Sequence, residues 1–377
     1  MSGGAAGSSW FQRFLLPGFA LKAVIIGGGY ATGRELAEYF LASGPWGGLA
    51  GMLLATLLWS LIAAVTFSFA RLVGAYDYRA FFGALLGPGW IAFEAAYILF
   101  VVLILAVFGA TAGAIGAAMF GAPDYVGTIL LAIGIIVTTA LGTTSVERVF
   151  KYVSFMLYGV YALFLLLGLS TFGDRVAHGF ATPASSDDWA IGGATYASYN
   201  IVGAVVILPV LRHLTSRRDA VVAGLIAGPL TMLPALLFFI CMVAFYPGIS
   251  SETLPSDFLL RQLDLPVFHW LFQLMIFLAL LESGAGSVHA INERISGVVQ
   301  VRRGHDLGIG ARALIGGTLL ALCMFVANRI GLVALIASGY RLLAWLFLIV
   351  FVAPLLTVGL TRLLRRPFTP LSGEVAS

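Results

Sequence analysis

Charge is what this sequence has least of. Only 10% of its 377 residues are Asp, Glu, Lys or Arg, whereas 60% are hydrophobic, and the mean hydropathy is +1.01. Soluble domains carry roughly 25% charged residues. So much apolar surface cannot be kept from water, and a soluble globular fold is excluded. Cysteine is almost missing as well. Cys241 and Cys323 are the only two, and both sit inside apolar runs. There a thiol acts as a small hydrophobe rather than as half of a disulfide or a metal ligand. No CxxC, no HExxH and no phosphate-cradling loop ending in Gly-Lys-Ser/Thr occurs, which removes the commonest metal-site and nucleotide-site readings. No catalytic residues are expected, and the chain does not read as an enzyme. The first 16 residues lack a charged n-region and a cleavage site; they read as a short cytoplasmic tail rather than a signal peptide. The formal net charge of +4 is no nucleic-acid signal, and no nucleic-acid partner is expected.

What fills the chain instead is long apolar runs. A membrane helix needs about 20 mostly apolar residues. Ten such segments can be drawn, at about 17–41, 46–74, 88–119, 124–143, 148–172, 189–212, 218–246, 266–300, 309–327 and 339–363. They are too long and too continuously apolar for the strands of a β-barrel. The expectation is an all-α, polytopic membrane protein of about ten transmembrane helices. It forms one bundle over 1–377, with 364–377 as a cytoplasmic tail. Placing the N-terminus in the cytoplasm and alternating puts 16 of the 21 Lys+Arg on the cytoplasmic side, leaving Arg34, Arg175, Arg261, Arg329 and Arg341 on the other. That is the positive-inside bias. It predicts a multi-pass protein of the plasma (inner) membrane with both termini cytoplasmic and the lipid bilayer as its surroundings. The longest loops on the far side are 173–188 and 247–265, the second with a short surface helix.

Ten helices divide into two halves, about 17–172 and about 187–363. "GGYATG" at 28–33 matches "ATYASY" at 194–199, each near the centre of the first helix of its half. Five is odd, so the two helices cross the membrane in opposite directions, as in an inverted repeat. Both carry helix-weakening residues at mid-membrane: Gly27, Gly28, Gly29 and Gly33 in the first, Asn200, Gly203 and Pro209 in the sixth. Opened backbone survives in a bilayer only where protein or a wetted cavity satisfies it, and paired interrupted helices mark a transporter's binding site. Close helix packing is the competing reason for membrane glycines. Tyr30 and Thr32 flank the first break, and Tyr196 and Tyr199 the second. Tyr97 and Phe100, in the middle of the third span, complete the candidate substrate set.

A few charges lie within the spans. Glu282 is about 16 residues into the eighth, where an acid costs about 2.5–3.5 kcal/mol. It is a candidate proton carrier or a ligand for Na⁺, with a structural ion pair as the alternative. Arg34 and Glu35 follow the glycines on the outer half of the first helix and are gate candidates, Arg34 also as an attractor of a substrate carboxylate. Glu94, six residues into the third span, is a candidate inner gate in partnership with Lys22 or Arg148. No His or Cys cluster has metal-like spacing, so no metal site and no cofactor is expected beyond Na⁺.

The stretch "GGGYATGRE" at 27–35 resembles the first-helix signature of the YkvI-type permease family, and "ESGAGSVHAINERI" at 282–295 is similar to that family's eighth helix. The family is placed in the amino acid–polyamine–organocation superfamily, which shares the LeuT-type five-plus-five fold. The resemblance implies a secondary transporter that holds its substrate between the first, third, sixth and eighth helices. It also implies that Ser283 and Ser287 face the first-helix break as cation ligands. Glu282 beside them departs from the usual pattern and leaves Na⁺ and H⁺ both open. The expected activity is alternating-access transport of a small amino-acid-like or amine solute, coupled to Na⁺ or H⁺, with an uncoupled channel as the alternative.

Overall fold

A bilayer offers no water to backbone N–H and C=O groups, so an apolar run must satisfy them within its own helix. The computed structural model, which describes residues 8–25, 28–140, 143–303 and 307–365, follows that rule: among the described residues there are helices and no strands. Among the described residues, seven segments are long and apolar enough to cross a membrane. They correspond to the second, third, fifth, seventh, eighth and ninth helices, Gly44–Val73, Trp90–Phe120, Thr143–Ala181 (the segment Met156–Ala181), Arg217–Val243, Pro266–Arg303 (the segment Pro266–Ser296) and Ile309–Ile330, and the tenth, Leu332–Arg365. The fourth helix, Asp124–Ala140, is shorter. The first and sixth are broken. The first is assembled from Leu16–Ile25, Gly28–Ala31 and Arg34–Tyr39, and the sixth from Trp189–Asn200, Gly203–Val206 and the tighter turns of Leu208–His213. These are the ten crossings expected from the apolar runs.

The boundaries differ in places. The fifth helix runs on to Ala181 rather than stopping near 172, so it takes up much of the expected 173–188 loop. The tenth begins at Leu332 rather than 339 and contains wide π-helical turns at Leu335–Gly339, Leu348–Val352 and Leu355–Gly359. Two short helices went unforeseen. Trp10–Phe14 is closed by a Ser9 capping box, and Tyr78–Leu86 is capped by Asp77. Pro255–Leu263 is the expected helix of the 247–265 loop, but Pro255, Ser256, Asp257, Leu259 and Leu260 are buried. It packs into the molecule and does not lie on its surface.

Packing relies on small residues where helices cross. A Cβ on Gly224 of the seventh helix would come within 2.3 Å of the Ala64 Cα of the second. One on Gly228 would come within 2.2 Å of Ser60 Oγ and 2.5 Å of the Thr56 carbonyl. Backbones this close gain dispersion contacts that lipid cannot match. The outer stripe of the second helix, Leu53, Leu57 and Leu61, is exposed at the i, i+4, i+8 spacing of one helix face, as a lipid-facing surface would be.

Candidate functional site

The two breaks lie side by side. In the first helix the chain leaves Gly28–Ala31 through Thr32 and Gly33, and Gly33 sits at φ +77°. That left-handed backbone favours glycine. A Cβ there would meet Phe238 Cε1 at 2.3 Å and Pro255 Cβ at 3.2 Å. Thr32 is buried, and its carbonyl accepts the Ser256 N–H of the loop helix at 2.9 Å. In the sixth helix Asn200 closes the first piece, and its Nδ2 donates to the Tyr196 carbonyl at 3.1 Å. The following N–H groups of Ala204 and Val205 turn back to Ile201 and Val202. Gly203 is a contact point of the two helices, where a Cβ would meet Leu21 Cδ1 at 2.9 Å. It lets the helices approach and is not among the residues lining the cavity between them. Of the triple glycine, Gly27 lies outside the described residues, and Gly28 and Gly29 contribute backbone to the short middle helix.

Between these helices is a cavity of about 30 Å³ lined by Val24, Ile25, Glu35, Phe100, Ile104, Phe108, Tyr199, Asn200, Val202 and Tyr340. That is room for about one water, so a solute needs the walls to move apart. Three expected substrate residues meet here: Phe100, Tyr199 and Asn200. Glu35, expected at a gate, is in the wall instead. It is 5% exposed, and Tyr199 Oη donates to its Oε2 at 2.6 Å. Around it stands a tyrosine cluster. Tyr199 packs on Tyr340 with ring centroids 4.5 Å apart and on Tyr39 at 5.7 Å. Tyr39 Oη donates to the Ile336 carbonyl in a π-helical turn of the tenth helix at 2.5 Å. Tyr30 and Tyr196 are fully buried but line no part of this cavity. Tyr196 packs on Phe40 and Trp59, and Tyr30 faces Tyr161, close enough for their hydroxyls to interact.

Each side of the cavity is sealed by polar contacts. On the side away from the N-terminus, Arg34 is buried. Its Nη1 donates to the carbonyls of Ser250 and Glu252, both at 2.9 Å, and its Nη2 to Glu38 at 3.0 Å. The arginine expected as a gate therefore straps the 247–265 loop over the first helix. On the N-terminal side a vestibule of about 190 Å³ is lined by Asp77, Tyr78, Phe93, Tyr97, Val205, Val206, Pro209 and Arg294. Glu94 pairs there with Arg294 at 2.9 Å, not with Lys22 as expected; the Arg148 side chain lies outside the described residues. The Arg294 guanidinium sits over the rings of Tyr78 and Tyr97 at 4.3 and 4.4 Å. Tyr97 thus belongs to this inner latch and not to the cavity. Beneath it, Arg13 holds Asp219 through two bonds of 2.8 and 2.7 Å.

The candidate cation residues are on the eighth helix, which packs against the short middle piece Gly28–Ala31 of the first. Glu282 and Ser283 are half-buried on the eighth helix and line no part of the cavity; the charge of Glu282 acts on Tyr158, over whose ring Lys22 Nζ lies at 4.4 Å. Ser287 donates to the Ser283 carbonyl at 2.9 Å, one turn back along its own helix. Tyr340, Arg294 and the vestibule tyrosine Tyr78 were missed by sequence reasoning. Tyr340 carries no motif. Arg294 lies inside "ESGAGSVHAINERI", where its charge alone marked it.

Comparison with known proteins agrees with this architecture. No family model matches the chain. It is 24% identical over 345 residues to "Uncharacterized membrane protein YkvI" of Bacillus subtilis (strain 168), covering 88% of this chain and 92% of that one. Its backbone is similar to that of MhsT in complex with L-phenylalanine, with TM-score 0.60 and 16% identity over 96% of this chain and 98% of that one. It is also similar to a Na⁺-coupled sialic acid symporter in a substrate-bound outward-open state, with TM-score 0.56 and 12% identity over 94% and 82%. The chain is similar to YkvI over most of its length, and its backbone has the LeuT fold.

Proposed function

We propose that this protein is a secondary active transporter that moves a small amino-acid-like or amine solute across the membrane by alternating access, coupled to Na⁺ or H⁺. The observation that carries this reading is the closed cavity at the junction of the two broken helices, with a buried carboxylate in its wall and a separate polar latch on each side. A break lets the two halves of a helix tilt independently. The Arg34 strap can then release while the Arg294 latch holds, and the reverse. The solute meets Glu35, Asn200, Tyr199 and Tyr340 in the cavity, with Phe100 as an apolar wall. The basic N-terminal face is the cytoplasmic one, in a plasma or inner membrane. Glu282 and Ser283 remain the candidate holders of a coupling Na⁺.

A channel needs one continuous wetted path. Here a cavity of about 30 Å³ and a vestibule of about 190 Å³ are separate pockets, which favours the transporter reading. The test is a thermal-shift screen of purified protein against amino acids and amines, in Na⁺ and in K⁺, at two pH values. A bound solute at 100 times its Kd stabilises by about 2.7 kcal/mol. A solute-specific shift that depends on Na⁺ or on pH is the expected result. A panel without a single shift removes the solute class.

A further inference from the structure

We propose that Glu35 is a single carboxylate shared in turn by the solute's ammonium group and by a proton, so that the protein exchanges a cationic amine for H⁺. This rests on the transporter reading above and deepens it.

Glu35 is buried, it lines the cavity, and Tyr199 Oη is its hydrogen-bond donor. An ionised carboxylate out of water needs a cation or a proton to compensate it. Among the described residues, no cationic side chain is hydrogen-bonded to it. On its own helix, Tyr30 and Tyr39 are near enough to feel its charge, and Arg34 turns its Nη1 to the carbonyls of Ser250 and Glu252 and its Nη2 to Glu38. The sixth helix presents Tyr196 and Tyr199, and the tenth Tyr340. Arg341, beside Tyr340, is exposed, and its charge acts on Tyr39. The third helix offers only Phe100, Ile104 and Phe108. Among the described residues, the other titratable groups named around it are tyrosines, donors without positive charge at neutral pH.

Two ways of neutralising Glu35 follow, and they exclude each other. An ammonium group in the cavity forms the ion pair with the carboxylate. When it leaves, a proton from water takes its place on a carboxylate oxygen, and Tyr199 turns to bond the acid. One singly charged amine then crosses for one proton in the other direction, so the cycle moves no net charge. The apolar walls call for a small amine with an apolar body. A carboxylate on the solute is not required, and a solute that lacks the amine has nothing to displace the proton.

The experiment measures binding of isoamylamine and phenethylamine to the full chain in weakly buffered detergent solution, with isovalerate and phenylacetate as matched acids. Expected are release of about one proton per amine bound on the acid side of the carboxyl's titration, and about tenfold weaker binding for each pH unit further down. The acids do not bind. Glu35→Gln, which copies the protonated carboxyl, melts no lower than the unsubstituted protein yet binds the amines at least about 100-fold more weakly and releases no proton. Glu35→Asp keeps the proton release. In vesicles, acid inside drives amine uptake above that of Glu35→Gln vesicles under the same gradient, and membrane potential has no effect. Amine binding without proton release, equal binding by Glu35→Gln, or failure of both amines to bind overturns the shared site. Uptake driven by outside acid or by Na⁺ overturns exchange while transport stands. Proton-linked binding with no uptake under any gradient upholds the shared carboxylate and sinks the transporter reading instead.

Discussion

Arg34 offers the sharpest test of the barrier on the side away from the N-terminus. Its Nη1 bonds two loop carbonyls, Ser250 and Glu252, each at 2.9 Å. Behind that strap the amide of Ser256, itself buried, donates to the Thr32 carbonyl at 2.9 Å. A hydrogen bond to a charged group contributes about 1.5–3 kcal/mol. Taking the lower figure for each, because the loop is partly solvated, Arg34→Ala destabilises the closed loop by about 3 kcal/mol. Ser256 exchanges its amide hydrogen only when the loop lifts off the first helix, so its exchange rate reads that opening directly. A loss of about 3 kcal/mol speeds exchange by about 100-fold. Arg34→Lys keeps the charge but not the planar fork, and falls between, near tenfold. Hydrogen-exchange mass spectrometry of the peptides covering 249–260 reports both. Exchange in Arg34→Ala within about threefold of the unsubstituted protein refutes the strap, because the loop would then be held by its apolar contacts alone.

The inner latch should behave as one unit. Arg294→Ala removes the Glu94 pair and two ring contacts of about 0.5–1 kcal/mol each, so thermal or denaturant melting in detergent should show a loss of about 2 kcal/mol. A double-mutant cycle with Glu94→Gln should return a coupling of about 1 kcal/mol; strict additivity would argue against the pair. Gly228→Ala forces a methyl against Ser60 Oγ and the Thr56 carbonyl and should destabilise by about 1–3 kcal/mol. Gly248→Ala, with nothing within 4 Å, should melt within a few tenths of a kcal/mol of the parent protein.

Which parts could be read in advance follows from what each signal depends on. Helix count follows from solvent physics, because a run of apolar residues has one way to satisfy its backbone in lipid. The ten segments were therefore visible. The broken first and sixth helices were visible too, since Gly33 and Asn200 disfavour a continuous helix by their own chemistry. Tyr78–Leu86 was not, because the flanking Gly-Pro pair at 87–88 reads as a linker and nothing local announces that Phe81 and Phe82 will be buried. Glu35 was legible as a charge in a membrane but not as the cavity's carboxylate. Its direction depends on the left-handed turn at Gly33 and on Tyr199 arriving from 164 residues away. The same holds for Arg294 and Glu94, 200 residues apart. Long-range pairing between charges leaves no trace in local spacing.

In the alternating-access mechanism proposed above, the two broken helices enclose a site served from both sides in turn. The most direct measurement is solute accumulation in proteoliposomes, with the solute picked out by the thermal-shift screen and ion gradients imposed one at a time. Alternating access coupled to an ion predicts accumulation above the outside concentration, driven by a proton or Na⁺ gradient and abolished when that gradient is collapsed. Uptake that only equilibrates, at the same rate with and without any gradient, would make the protein a facilitator and contradict the account.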